Sequence, residues 1–209
     1  MSNDARTHWQ AGIGPIGHRP ETVQRVEALV QRLVEDGRVA DADTAWRMLA
    51  AADRLTCVAM SVVAHMTYAR RFDPSGAPLA AEDFKPVPEG HTGGSLNMVQ
   101  AFVGHLLANA LTGNTRGWIM GQGHCVAAIE AVNALTGDVS PAQEGRYDRS
   151  AEGLSRLCSD FYSYAIDAHG LPAAPLGSHA GPNTAGAVSE GGYLGFAELQ
   201  YVHMPLPGE

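Results

Sequence analysis

A chain of 209 residues suits one domain, or one domain with a helical extension. Hydrophobic residues make up 45%, enough for a core, while the net charge of -8 comes with no basic patch and argues against a nucleic-acid partner, whose phosphates need clustered Lys and Arg. The polar start, Met1 to Gln10, lacks the apolar run of a signal peptide, and no stretch reads as apolar for long enough to cross a membrane.

Residues 1–20 read as an irregular lead-in, because Gly12, Gly14, Pro15, Gly17 and Pro20 interrupt regular structure. The spacing of Val23, Val26, Leu29, Val30, Leu33 and Val34 predicts a helix from about Glu21 to Glu35, ended by Gly37. A longer helix is predicted from about Asp41 to Arg71, with Trp46, Leu49, Ala50, Leu55, Val58, Ala59, Val62, Val63 and Met66 as its buried stripe. Composition changes at Phe72. Pro74, Pro78, Pro86 and Pro88 make the next stretch extended or looped. Gly90-His91-Thr92-Gly93-Gly94 then leads into a helix from about Ser95, its expected N-cap, to Leu111.

Gly117-Trp118-Ile119-Met120 is short, apolar and bounded by turn residues, and is predicted as a buried strand. Gly121-Gln122-Gly123-His124 forms the turn after it, followed by helices over about Cys125–Leu135 and Ala151–Ala168. The stretch from Gly170 to Glu190 is rich in glycine and proline, and a last short helix is predicted from near Gly192. Helix, strand, turn and helix in this order are the pattern of an α/β domain with a parallel sheet. The expected division is a helical amino-terminal segment over residues 1–71 and an α/β domain over residues 72–209.

His91, His124 and His179 stand in glycine-rich loops, where backbone approaches a ligand closely and where site residues concentrate. His124 also follows the predicted strand, at the end where open α/β sheets bind ligands. The backbone N–H groups opening the next helix suit an anion. Gly121-x-Gly123 is equally a plain tight turn, and as a dinucleotide signature it fails, since Val126 stands where the third glycine belongs. His8, His18, His65, His105, His169 and His203 have no comparable setting.

No metal site is expected. Cys-x-x-Cys is missing, and the adjacent pair His124-Cys125 is poorly disposed to hold one ion from a single turn. A serine nucleophile elbow, Gly-x-Ser-x-Gly, is also missing. Cys125 at a helix start is either an activated thiol or, as is commoner, a small core residue. Cys57, Cys125 and Cys158, odd in number and widely spaced, argue against a disulfide framework and fit a reducing cytoplasm.

The same segments carry a family likeness. Phe84-Lys85-Pro86-Val87-Pro88-Glu89-Gly90-His91, followed by Gly93 and Leu96-Asn97, resembles the first site segment of thiamine-diphosphate-dependent phosphoketolases. Gly121-Gln122-Gly123-His124 resembles the second, Ser178-His179-Ala180-Gly181-Pro182-Asn183-Thr184-Ala185-Gly186 the third, and Ser189-Glu190-Gly191-Gly192-Tyr193-Leu194-Gly195 the segment after it. Together these cover about residues 50–197 in the right order.

The resemblance implies an incomplete thiamine-diphosphate-binding-like domain with a parallel sheet, preceded by a helical segment. It implies cleavage of xylulose 5-phosphate or fructose 6-phosphate by inorganic phosphate, giving acetyl phosphate and a shortened aldose phosphate. The implied cofactor is thiamine diphosphate with magnesium, whose thiazolium carbon acts as the electron sink. His91, His124 and His179 would line cofactor and sugar and move protons, while Gly123, Gly191 and Gly192 would let backbone approach the cofactor.

The likeness is partial. The first segment is shorter after His91 than the family's, and the family's Asp-Gly-Glu segment, which holds magnesium and diphosphate, has no counterpart here. The expectation is therefore a cytoplasmic domain inactive alone and at most one subunit of a split enzyme, with a partner chain carrying the missing half. The alternative is a non-catalytic remnant, or a domain kept for assembly or binding.

Overall fold

The computed structural model describes residues 3–118, 123–139 and 141–163. Its helices are α1 (Asn3–Ala11), α2 (Pro20–Glu35), α3 (Ala42–Tyr68), α4 (Thr92–Thr112), α5 (Val126–Thr136), α6 (Pro141–Glu144) and α7 (Ala151–Asp160), with short 3-10 turns at Ala81–Asp83 and Gly123–Cys125. Among the described residues there is no strand, so the expected parallel sheet is not found there. Gly117 and Trp118 are irregular, whereas Ile119 and Met120 lie outside the described residues. A run of four residues is too short for periodicity to decide its state. The expected loop and short helix beyond Gly170 also lie outside them.

Two compact units each combine two stretches of chain. Residues 1–58 and 100–117 make the first, and residues 59–99 and 118–209 make the second.

The first unit buries Trp9, Val30, Val39, Ala45, Trp46, Leu49, Ala50 and Leu111 in one cluster. Trp9 belongs to α1, in the stretch read as irregular, and that reading is corrected. The turn-forming glycines and prolines begin only at Gly12, so they stop a helix over Asn3–Ala11 rather than forbid it. What secures α1 is tertiary contact. Trp9 stacks on His18 at 4.0 Å and packs against Trp46 at 5.2 Å, and Arg6 pairs with Glu27 of α2. His18 in turn donates from Nε2 to Asp53 of α3 at 2.7 Å. Burial raises the Asp53 carboxyl above the usual range, against the lowering effect of His18.

Gly12 turns the chain at φ +72°, donating to the Trp9 carbonyl, and Ile13 and Ile16 exchange backbone hydrogen bonds just beyond it. Helix α2 opens on Pro20, whose missing N–H costs nothing at a helix start. It closes with Gly37 N–H on the Val34 carbonyl and Arg38 N–H on that of Leu33, the paired bonds of a Schellman end. Asp41 caps α3 by accepting from Thr44 N–H at 2.7 Å, a bond that lowers its pKa.

In the second unit, α5 is buried at every residue from Val126 to Ala134, so it has no solvent face. Ala59, Val62, Val63 and Met66 from α3, Val99 from α4 and Leu154, Leu157 and Cys158 from α7 are buried too. Ser150 caps α7 by accepting from Gly153 N–H at 3.0 Å. Ser155 accepts from Phe72 N–H at 3.0 Å, across 83 positions of sequence.

Contrary to the sequence reading, α3 is long and apolar enough, by length and composition, to cross a membrane, with a mean hydropathy of 1.3 over its most apolar window. Asp53, Arg54, Thr56, Ser61 and His65 interrupt the run and hide that length in the sequence. The helix also carries Asp43, Arg47, Asp53 and Arg54. It gives Ala45, Trp46, Leu49 and Ala50 to the core of the first unit and Ala59, Val62, Val63 and Met66 to buried positions of the second.

The segment that leads to the candidate site is fastened to the end of α3. Lys85 N–H donates to the Tyr68 carbonyl at 2.9 Å and Glu89 N–H to that of Thr67 at 2.9 Å. The Lys85 side chain is 1% exposed, and its Nζ donates to the Met66 carbonyl at 2.8 Å and pairs with Glu89. A buried cation is tolerated here because it meets the negative end of a helix and a carboxylate together.

Three substitutions test these constraints. Gly12→Ala places a Cβ 2.2 Å from the Ile16 carbonyl oxygen at a positive φ, and should cost more than about 1 kcal/mol in denaturant unfolding. Gly17→Ala, which meets nothing within 4 Å, should stay within about 0.5 kcal/mol of the parent. Lys85→Met leaves the Met66 carbonyl and Glu89 without their cation, and should lower stability by on the order of 2 kcal/mol. An unchanged unfolding midpoint for Lys85→Met would contradict the fastening role.

Candidate functional site

His91 stands immediately before α4 and caps it. Its carbonyl accepts from Ser95 N–H at 3.1 Å, and its Nδ1 accepts from Gly94 N–H at 3.1 Å. The helix thus starts at Thr92, and the expectation of Ser95 as N-cap is corrected. Gly93 and Gly94 are poor helix formers, and they disguise the first turn as loop. Ser95 is instead wholly buried within that turn, with no hydrogen-bond partner for its hydroxyl among the described residues.

A backbone N–H can only donate, so the lone pair of His91 Nδ1 is committed to it and the neutral ring carries its proton on Nε2. His91 is therefore oriented as a donor. Gly90, at φ +82°, turns the chain into this position.

His124 lies in the 3-10 turn Gly123–Cys125 before α5. Its ring meets that of His91 edge to face, with centroids 4.9 Å apart and planes at 89°. Cys125 is buried beside them, and burial pushes its thiol pKa up, so the core reading of this residue holds and no activation is seen. Burial pushes the Cys158 thiol further, to about 12. Gly94 makes the cluster possible: a Cβ there would stand 2.5 Å from His91 Nδ1 and 2.7 Å from Cys125 Sγ.

One potential ligand atom from each of His91, His124 and Cys125 lies within 4.8 Å of the others. That set offers imidazole and thiol but no carboxylate, and it does not fit magnesium, which takes oxygen ligands. The imidazoles suit the acceptor oxygens of an organic ligand.

Two of the three expected histidines, His91 and His124, come together, with Gly123 opening the turn that carries one of them. His179, Gly191 and Gly192 lie outside the described residues. Sequence reasoning passed over Gly94 and Lys85 as site-building residues. The apolar neighbours of a buried lysine give no pattern, but Gly93-Gly94 directly after a candidate histidine was a usable signal of close approach. His65 and His105 bond locally, through Nδ1 to the Ser61 carbonyl and through Nε2 to that of Arg116.

Comparison with known proteins converges on these segments. The profile of the XFP N-terminal domain family matches residues 43–202. A protein of Pseudomonas putida described as a probable phosphoketolase is 33% identical over 130 residues, an alignment covering 57% of this chain and 14% of that protein. No solved structure matches significantly. The chain thus spans a small part of that relative, and the family match includes the segments that hold His91, His124 and His179. It belongs to the family of the XFP N-terminal domain, the amino-terminal domain of phosphoketolases.

Proposed function

We propose that this chain is a cytoplasmic, phosphoketolase-like domain that supplies histidines to a site completed by a partner chain, and that it is inactive alone. The reaction is the cleavage of a ketose phosphate by inorganic phosphate to acetyl phosphate, a shortened aldose phosphate and water. Edge-to-face contact of His91 and His124, at 4.9 Å, is the observation that carries this reading, because it joins two segments 33 positions apart in sequence.

Thiamine diphosphate, when bound, supplies the carbon nucleophile and electron sink. The residues of this chain bind, orient and move protons. His91, held by Gly94, presents Nε2–H to a carbonyl or hydroxyl oxygen of the sugar and stabilises charge that develops there. His124, part-buried against it, takes or returns a proton at a neighbouring hydroxyl, and His179 is proposed as the third such group. Gly123, Gly191 and Gly192 are the proposed places of backbone approach to the cofactor. Magnesium ligands are assigned to the partner, since the described cluster does not fit that ion.

A second reading is a domain kept for assembly or binding, in which the histidine pair turns over no substrate. The two separate experimentally. The purified chain with thiamine diphosphate, magnesium, ketose phosphate and inorganic phosphate should release no acetyl phosphate. Together with the protein it co-purifies with, it should release it, and His91→Ala or His124→Ala should slow release about 100-fold or more. Turnover unaffected by both variants contradicts the proposal, and a mixture that never turns over supports the assembly reading.

A further inference from the structure

The cluster of His91, His124 and Cys125 has a chemistry that carbohydrate cleavage does not use. A thiol is a weak partner for sugar oxygens, yet Cys125 Sγ is packed into the same small space as two imidazoles, against a glycine whose missing side chain keeps that space open. We propose that His91, His124 and Cys125 bind a zinc-class transition metal through two nitrogens and one sulfur, leaving a fourth position for water or an anion.

The donor set selects the metal. Thiolate and imidazole suit zinc and its neighbours, whereas magnesium and calcium take oxygen. Zinc bonds of about 2.0–2.3 Å place tetrahedral ligand atoms roughly 3.3–3.7 Å apart. The three atoms here lie within 4.8 Å, so side-chain rotations closing about 1 Å complete the set. His91 is exposed and His124 part-buried, so side-chain rotation can make that adjustment, with His91 giving up its bond from Gly94 N–H, while Cys125 is fixed by burial. On binding, the Cys125 S–H bond breaks, its sulfur electron pair forms the bond to the metal, and the proton goes to solvent.

The geometry also sets a cost that can be read out. Nδ1 of His91 accepts from Gly94 N–H. If the metal takes Nδ1, it displaces that bond; if it takes Nε2, the ring proton moves to Nδ1 and the bond is lost as well. Either way the Gly94 amide is released, a consequence that thiamine binding does not share. The site needs neither cofactor nor partner chain, so its test is independent of the phosphoketolase-like reading.

The reduced, chelator-treated full chain is titrated with zinc chloride by calorimetry, and with cobalt(II) as a spectroscopic probe. One equivalent of zinc should bind, with a thiolate-to-cobalt charge-transfer band and a shift of the Gly94 amide resonance. Cys125→Ser should abolish the band, and His91→Ala and His124→Ala should each weaken zinc binding at least about tenfold. Cys57→Ser and Cys158→Ser should keep the band. Circular dichroism establishes that each variant is folded, and the exposed His91 keeps the test open should Cys125→Ser unfold. No zinc binding by the folded chain, or binding equal in all three ligand variants, would overturn the proposal.

Discussion

One short hydrogen-bonded turn governs the candidate site: the Gly94 N–H on Nδ1 of His91. It starts α4, aims the imidazole and fixes where its proton resides. The turn is itself held in place from behind. Lys85, buried between the last carbonyls of α3 and Glu89, pins the proline-rich segment whose end is His91. A charge is expensive to bury, and here the Met66 carbonyl and the Glu89 carboxylate offset that cost. Across the gap, α5 is buried from Val126 to Ala134 and leaves the preceding turn little freedom, so His124 arrives edge-on against His91. Glycine at 94 lets the two supports close to contact distance.

Membership of the phosphoketolase amino-terminal domain family explains why these segments recur in this order, and the structure explains what each does locally. Gly90 and Gly94 serve the approach of His91, and Gly123 opens the turn that delivers His124. Burial of Cys125 beside them adds a soft ligand to a pair of imidazoles, which makes the cluster chemically broader than a sugar site. The two uses compete for the same lone pairs, since a metal on His91 removes the cap that orients its donor.

Much of this was legible in the residues. The apolar spacings of Val23 to Val34 and of Trp46 to Met66 gave α2 and α3 nearly to their ends, because 3.6-residue periodicity is a strong signal over several turns. His91 and His124 stood out through their glycine neighbours, and they meet. Legibility failed where tertiary contact overrides local pattern. Helix α1 is held by Trp9 against His18 and Trp46, partners that no window of sequence displays. The start of α4 was missed because His91, an unusual cap, does the work assigned to Ser95. The cluster is hidden in the sequence because His124 and Cys125 are neighbours that read as a pair, while His91, which lies close to both, precedes a different helix.

The candidate site requires His91 and His124 to share one small space, with His91 held as an Nε2–H donor. Imidazole nitrogen NMR of the histidine-labelled chain, with ring-to-ring proton contacts, reads both at once. The expected result is an unprotonated, hydrogen-bonded Nδ1 and a protonated Nε2 for neutral His91, with a cross-peak between its ring and that of His124. A protonated Nδ1 on His91, or rings without mutual contact in the folded chain, would contradict the account.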